Sequence, residues 1–226
     1  MNSLLIVNGN LVNEGATSIS DILIVNGRIE TIGSSLQNTK ADKTIDASGL
    51  TILPGMIDDQ VHFREPGMTQ KADIATESRA AVAGGITSFM DMPNTIPNTL
   101  TAKRLEEKYQ LAANKSMANY GFYFGASNDN LEDIKRLDPR SACGIKVFMG
   151  ASTGNMLVDN PQTLEKIFEH APTLVATHCE DTPTILANEE KMRAQYGDEI
   201  PFKLHPQIRS TEACVKSSTL AIDLAN

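Results

Sequence analysis

The stretch PGMIDDQVHFREPG, residues 54–67, marks the change of pattern that decides the fold. Before it, the chain consists of short β-branched runs and Asn-Gly pairs. After it, apolar strand-like runs alternate with helical segments rich in Ala and Glu. MIDDQVHF is the first of these strands, and the helix predicted over residues 72–83 ends at Gly84-Gly85.

Four further strand–helix pairs follow this first unit. The predicted strands are ITSFMDM, YGFYFGAS, GIKVFMG and TLVATHCE, and the helices lie at residues 101–116, 130–137, 161–171 and 184–194, with a last helix at 210–226. Five units in a row predict a parallel sheet, either a barrel or a doubly wound sheet. A Gly-rich phosphate fingerprint does not follow the first strand, which disfavours a nucleotide-binding sheet. Because an eight-stranded barrel needs about 250 residues, either the native chain continues beyond this sequence or it pairs with another chain, and we expect the first.

The segment before Pro54 has a different character. LLIVNG (residues 4–9) and ILIVNG (residues 22–27) each end in Asn-Gly, which predicts two tight hairpin turns. With RIETIG and KTIDASG, they indicate a small antiparallel β-module, too short to bury a core alone. The predicted domains are therefore residues 1–55 and residues 56–226.

Composition excludes several classes of protein. The net charge is -8 and Lys/Arg-rich blocks are absent from the sequence, which argues against a nucleic-acid partner. The sequence contains neither an apolar run of 18 residues nor a basic, apolar N-terminal leader, so we expect neither a transmembrane helix nor a signal peptide. Three widely separated cysteines, an odd number, indicate reduced thiols and a cytoplasmic protein.

Polar residues interrupt the apolar strands near their carboxyl ends, where a barrel carries its active site. In the first strand Asp58, Gln60, His62 and Arg64 alternate, so they point to one face. Such side chains are costly to bury unless they bind something. A single strand histidine is nevertheless more often structural than a metal ligand, so His62 alone decides nothing.

Three other strand ends carry candidates, each with two interpretations. Lys146 in GIKVFMG either lies on an edge strand with its ammonium in water, or has a pKa low enough for CO2 to add and form a metal-bridging carbamate. His178 in TLVATHCE is either a zinc ligand or a core histidine bonded to backbone. Asn94 in the loop DMPNT either binds a ligand or belongs to an ordinary turn.

Taken together, these residues resemble the amidohydrolase superfamily and, within it, the dihydroorotases. PGMIDDQVHFREPG is similar to the first-strand signature Pro-Gly-x-Ile-Asp-x-His-x-His-x-Arg-Glu-Pro-Gly, and AGGITSFMDMPNT matches the second strand and its substrate loop. IKVFMG matches the strand of the carboxylated lysine, and HCED matches a later metal-ligand histidine. The resemblance spans nearly the whole chain, and HFREPG with DMPNT is its specific part. Allantoinases and dihydropyrimidinases share the scaffold but usually lack that arginine and that asparagine.

The resemblance implies a fold, an activity and an assembly. The fold is a (β/α)8 TIM-like barrel with a small β-sandwich made from both chain termini, to which residues 1–55 contribute. The activity is zinc-dependent, reversible hydrolysis of dihydroorotate, a small-molecule substrate, to N-carbamoyl-L-aspartate in pyrimidine biosynthesis. A homodimer or larger oligomer is also implied.

The resemblance further assigns roles by position. His62 is implied as a ligand of the first metal, Lys146 as the bridging carbamate, and His178 as a ligand of the second metal. Arg64 and Asn94 are implied to hold the substrate carboxylate, which suits a planar guanidinium and an uncharged amide donor.

Two features depart from the family pattern. Gln60 stands where the first histidine is expected, and a neutral amide oxygen is a weaker zinc ligand than imidazole. One or two zinc ions therefore remain possible, and Gln60 is either a ligand or only a hydrogen-bonding group. The catalytic aspartate and another metal histidine are expected beyond residue 226, so this chain alone is not expected to turn over substrate. The alternatives are a hydantoinase- or allantoinase-like hydrolase, or a non-catalytic partner subunit that has lost its metal site.

Overall fold

The computed structural model describes residues 2–152 and 154–226 and divides the chain into two compact units, Met1–Met56 and Ile57–Asn226. The first unit contains five strands: β1 (Ser3–Asn13), β2 (Ala16–Val25), β3 (Arg28–Gly33), β4 (Lys43–Asp46) and β5 (Thr51–Ile52). β1, β2 and β3 are antiparallel, whereas β4 and β5 pair parallel to β1. The prediction of a purely antiparallel module is therefore wrong in part, because the chain returns after β3 to the free side of β1.

Two tight turns of this sheet use residues with positive φ. Asn26-Gly27 joins β2 to β3 with φ angles of 50° and 77°, as a two-residue hairpin turn requires. This confirms the second predicted turn. The turn between β1 and β2 lies at Glu14-Gly15, with φ angles of 50° and 76°.

The first predicted turn, at Asn8-Gly9, is wrong. These residues lie inside β1, where the register with β2 shifts between Ile6 and Gly9. Asn8 has a φ of 61°, and its backbone N–H donates to Asp21 Oδ1 at 2.9 Å. A buried acceptor on the neighbouring strand therefore turns the Asn-Gly pair into a β-bulge.

The second unit alternates strands and helices. Its strands are β6 (Met56–Val61), β7 (Ile86–Asp91), β8 (Asn119–Phe122), β9 (Phe124–Gly125), β10 (Ile145–Phe148) and β11 (Val175–His178). Its helices are α1 (Ile74–Ala83), α2 (Ala102–Ala113), α3 (Leu131–Lys135), α4 (Pro161–His170), α5 (Thr182–Tyr196), α6 (His205–Ile208) and α7 (Thr211–Ala225), with 3-10 turns at Gly154–Met156 and Phe202–Leu204.

The strands follow one another in sequence order. β6, β7 and β8 are neighbours, as are β9, β10 and β11, and β8 and β9 are one strand interrupted at Tyr123. The pairings β7–β8, β9–β10 and β10–β11 are parallel. Within the described residues, this order shows no reversal of the kind that a doubly wound sheet has, and it is that of five consecutive barrel units, as predicted.

Side-chain caps determine where the helices begin. Asp73 accepts from the backbone N of Thr76 at 2.8 Å, so α1 begins at Ile74, two residues after the predicted start. Asp181 caps α5 in the same way, accepting from Thr184 N at 3.1 Å, so that helix begins earlier than predicted. In both cases a carboxylate satisfies an N–H group at the helix start.

The core of the second unit lies between the strands and their helices. β10 is buried along its whole length, and its aliphatic side chains pack with residues of β8, β9 and α4. None of the helices in the described part of the chain is long and apolar enough to cross a membrane. The three cysteines, Cys143, Cys179 and Cys214, are free.

Ile145 on β10 offers a direct test of this core. Ile145→Ala should lower the free energy of unfolding by about 2–5 kcal/mol, because the fully buried side chain leaves a cavity. Leu186→Ala, at an exposed position on α5, should change it by no more than about 0.5 kcal/mol. Urea denaturation followed by circular dichroism measures both free energies of unfolding. Equal decreases in the two variants would contradict the placement of Ile145 in the core.

Candidate active site

His62 and Asn94 meet just beyond the carboxyl ends of β6 and β7. Asn94 Oδ1 accepts a hydrogen bond from His62 Nδ1 at 2.9 Å. Because Nδ1 carries the proton in this bond, the lone pair of Nε2 remains available. Burial lowers the pKa of His62, and the nearby charge of Arg64 lowers it further. The imidazole is therefore neutral at neutral pH, which is the form that binds metals.

Lys146 occupies the interior of β10. Its strand lies between β9 and β11, so the edge-strand interpretation is wrong. The residue is 3% exposed, and its Nζ lies 5.2 Å from the centroid of the Phe148 ring. Among the residues that the structure describes, no carboxylate forms an ion pair with it, and burial lowers the pKa of the amine. The side chain is thus a buried amine biased towards its neutral form.

His178 is the last residue of β11, the strand that pairs with the Lys146 strand β10. Its register partner is Phe148, and the two rings stack at a centroid distance of 6.0 Å. Phe148 and Lys146 are two residues apart on β10, so all three side chains belong to one face of the sheet. His178 Nε2 donates to Glu180 Oε2 at 3.1 Å, and Glu180 also pairs with Arg209. The His178 ring is therefore hydrogen-bonded to a carboxylate, whereas the interpretation as a core histidine requires a hydrogen bond to the backbone.

The candidates from the first barrel strand do not all lie within that strand: Gln60 is in β6, whereas His62 and Arg64 follow it, since the strand ends at Val61. Gln60 is exposed, and its backbone N donates to Asp58 Oδ1 at 3.1 Å. Arg64 has a φ of 66°, a left-handed conformation that is uncommon for residues other than Gly and that occurs often at functional sites.

The donor set suits a metal only if Lys146 is modified. In the described ranges 2–152 and 154–226, no group of three His, Cys, Asp or Glu side chains is placed to hold an ion. The residues proposed from the sequence include only two such side chains, His62 and His178. A buried Lys146 with a lowered pKa can supply a third ligand after CO2 addition, because the carbamate is an anionic oxygen donor. The residues present therefore fit a metal on this condition.

Sequence reasoning missed the group that holds the strand ends in place. Asp91, the last residue of β7, is fully buried; its Oδ1 accepts from Phe63 N at 2.9 Å and its Oδ2 lies 2.7 Å from Lys108 Nζ. Lys108 also donates to Met92 O at 2.8 Å. A signal was present, since Lys108 follows the buried Leu105 by three residues, on the apolar face of α2.

The turn after Arg64 packs closely on the loop of Asn94. Ile96 N donates to Pro66 O at 3.1 Å. Gly67 has a φ of 81°, and a Cβ atom there would lie 1.9 Å from Ile96 O. Only glycine fits this position, so the turn of Arg64 and the loop of Asn94 are held together at backbone level.

The strand order and the polar strand ends define a (β/α)-barrel protein with a candidate metal-assisted hydrolytic centre. Residues 51–214 match the family described as the amidohydrolase family, and the chain belongs to it. The predicted family and fold are both confirmed.

Three known proteins illustrate the relationship. A dihydroorotase of Methanosarcina acetivorans is 38% identical over 205 residues, covering 88% of this chain and 42% of that protein. An allantoinase of Deinococcus radiodurans is 34% identical over 215 residues, covering 90% and 47%. The structure of L-hydantoinase from Arthrobacter aurescens matches with a TM-score of 0.92 at 25% identity, covering 99% of this chain and 50% of the other. The chain therefore spans half or less of the length of these proteins.

Gly67 tests the contact between turn and loop. Gly67→Ala should lower the free energy of unfolding by at least about 2 kcal/mol, since it combines a left-handed backbone with a clash against Ile96 O. Gly85→Ala shares the positive φ but meets no atom within 4 Å, so it should cost only about 1 kcal/mol. Urea denaturation compares the two variants, and similar losses would rule out the close contact.

Proposed function

We propose that the full-length protein is a dihydroorotase, which interconverts dihydroorotate and N-carbamoyl-L-aspartate in pyrimidine biosynthesis. The observation that carries the proposal is the joining of the Arg64 turn to the Asn94 loop beside His62, through the backbone bond of Ile96 to Pro66. Assembly as a homodimer or larger oligomer and a cytoplasmic location are part of the same proposal.

Arg64 and Asn94 offer complementary groups to a substrate carboxylate. The guanidinium of Arg64 presents a planar, permanently charged fork. The Oδ1 atom of Asn94 is already used by His62, so its Nδ2 group remains as an uncharged donor. A carboxylate bound here would lie close to the imidazole of His62. This is the feature that favours a ring bearing a carboxylate, as dihydroorotate does.

His62, Lys146 and His178 are the proposed ligands of zinc. Addition of CO2 to the neutral Lys146 amine forms an N–C bond and releases one proton, leaving a carbamate anion. When bound, zinc would polarise the amide carbonyl and lower the pKa of water. Gln60 is exposed and neutral, so we propose that it leaves one of two metal positions weak.

The proposed reaction adds water across the ring amide. The carbonyl carbon gains oxygen and becomes the new carboxylate, and the ring nitrogen gains a proton as the C–N bond breaks. Within this chain, Arg64 and Asn94 orient the substrate, and His62 is one of the residues that would hold the zinc. We propose that an aspartate outside residues 1–226 carries the proton to the leaving nitrogen.

A second candidate is an allantoinase- or hydantoinase-like activity. The similarity to the Deinococcus radiodurans allantoinase and to the Arthrobacter aurescens L-hydantoinase structure favours it. Neither allantoin nor a simple hydantoin requires a carboxylate-binding arginine, so the effect of Arg64 on substrate choice separates the candidates. A non-catalytic partner subunit would bind no metal and open no ring.

Substrate tests on the full-length protein, loaded with zinc, examine the proposed activity. We expect hydrolysis of dihydroorotate in preference to dihydrouracil, allantoin and hydantoin. Arg64→Met should lower kcat/KM for dihydroorotate about 100-fold, because a charge-assisted bidentate pair is lost, with little effect on dihydrouracil. Arg140→Met, at an 88% exposed side chain, is the matched control. Faster opening of allantoin or hydantoin, or no turnover at all, would sink the dihydroorotase proposal.

Metal content tests the proposed ligands independently of turnover. Lys146→Ala should lose about one zinc equivalent or more per chain, while Lys166→Ala, exposed on α4, should lose none. Gln60→His should raise zinc content, because imidazole is a better ligand than an amide oxygen. Elemental analysis gives the stoichiometry, and 13CO2 labelling with NMR detects the carbamate. Unchanged zinc in Lys146→Ala would refute the carbamate bridge.

A further inference from the structure

Two carboxylates hold the turn that presents Arg64, one at the end of the neighbouring strand β7 and one within the turn itself, and each pairs with a lysine at or just beyond α2. Lys108 of α2 pairs with Asp91, and Lys115, two residues beyond the end of α2, pairs with Glu65. Lys108 lies within α2, whereas Lys115 lies in the turn that follows it, where its backbone N donates to Ala112 O at 3.0 Å. Together, Lys108–Asp91 and Lys115–Glu65 are called the α2 clamp below.

We propose that the α2 clamp is a positioning device that fixes the 62–67 turn from both sides and so sets the selectivity of Arg64 for a carboxylate. Neither Lys108 nor Lys115 touches the substrate in this proposal, so both are positioning residues. The inference rests on the proposed function for its kinetic consequence, but its structural consequence is independent of that function.

The first half of the clamp acts through the backbone between His62 and Arg64. Asp91 and Lys108 side chains are each 1% exposed, and burying such a pair costs desolvation that the mutual attraction seldom exceeds. The pair therefore contributes little as a source of stability alone. Its geometric role is specific, because Asp91 uses Oδ2 for Lys108 and Oδ1 for the N–H of Phe63. If the backbone after β6 shifted, the buried carboxylate of Asp91 would lose the N–H donor of Phe63.

The second half of the clamp acts on the residue after Arg64. Glu65 is buried; its Oε2 accepts from Ile74 N at 3.0 Å, at the start of α1, and its Oε1 pairs with Lys115. The backbone of Arg64 is thus anchored on both sides while it holds a φ of 66°. A strained backbone conformation persists only where the surrounding structure holds it, and the contacts of the clamp hold the residues on either side of Arg64.

Loosening the clamp should impair recognition of the carboxylate more than hydrolysis of the ring. The proposed ligands Lys146 and His178 lie on β10 and β11, and none of the clamp contacts involves these strands. The third proposed ligand, His62, adjoins Phe63, so Lys108→Met should also slow the hydrolysis of both substrates, whereas Lys115→Met acts on Glu65 on the far side of Arg64. Arg64, in contrast, would relax from its left-handed conformation. A general loss of stability would reduce the hydrolysis of every substrate by the same factor.

The experiment uses the zinc-loaded, full-length protein and compares kcat/KM for dihydroorotate with that for dihydrouracil, which lacks the carboxylate. Lys115→Met should lower this ratio about tenfold and Lys108→Met up to about 100-fold, the range expected from misplacing a binding group by about 1 Å. Lys115→Arg should retain the ratio of the unmodified protein within about twofold, because it restores the charge. Lys103→Met is the control on α2, since that side chain is 83% exposed and 4.0 Å from Glu107.

Hydrogen–deuterium exchange of the peptide covering residues 62–67 provides a readout without activity. Exchange should accelerate by about tenfold or more in Lys108→Met and Lys115→Met, and not in Lys103→Met. If Lys108→Met does not fold, the comparison of Lys115→Met with Lys115→Arg decides the proposal. Equal losses for both substrates, or unchanged exchange in this peptide, would overturn it. If the unmodified protein does not open dihydroorotate, the proposed function fails and exchange alone decides the clamp.

Discussion

The candidate site depends on one buried carboxylate, Asp91, at the end of the second barrel strand. Its two oxygens connect three elements: the end of β7, the backbone N–H of Phe63 after β6, and Lys108 on α2. Because each side chain of the ion pair is almost fully excluded from water, the group tolerates little displacement without an uncompensated charge. The relative placement of His62 and Asn94, which flank these contacts in sequence, follows from this constraint.

Much of the fold was predictable from sequence, because strand–helix alternation is a local signal that the chain repeats five times. The errors arose where a distant partner decides local structure. Asn26-Gly27 and Asn8-Gly9 are the same dipeptide, but the second meets Asp21 Oδ1 on the neighbouring strand and becomes a bulge. Propensity describes what the backbone can adopt, and the tertiary hydrogen bond decides between the options.

The site was predictable to the extent that polar residues interrupt apolar strands. Lys146 is detectable in this way, and its burial is now evident from its position between β9 and β11. Glu65 and Lys108 escaped notice because their partners are 50 and 17 residues away in sequence, respectively, and because a lysine on a helix is ordinarily a solvated residue. A single sequence gives no signal that two charged residues far apart along the chain form an ion pair.

Lys108 and Lys146, both buried in the described part of the second unit, show how the surroundings direct the same side chain to different chemistry. Burial lowers the pKa of both amines. At Lys108 a carboxylate 2.7 Å away opposes that effect, and the ammonium is used as a structural donor. At Lys146 the described residues supply no such carboxylate, and only the thiol of Cys179 opposes desolvation. The neutral amine is the form that can add CO2, so the lowered pKa of Lys146 favours the carbamate that we propose there.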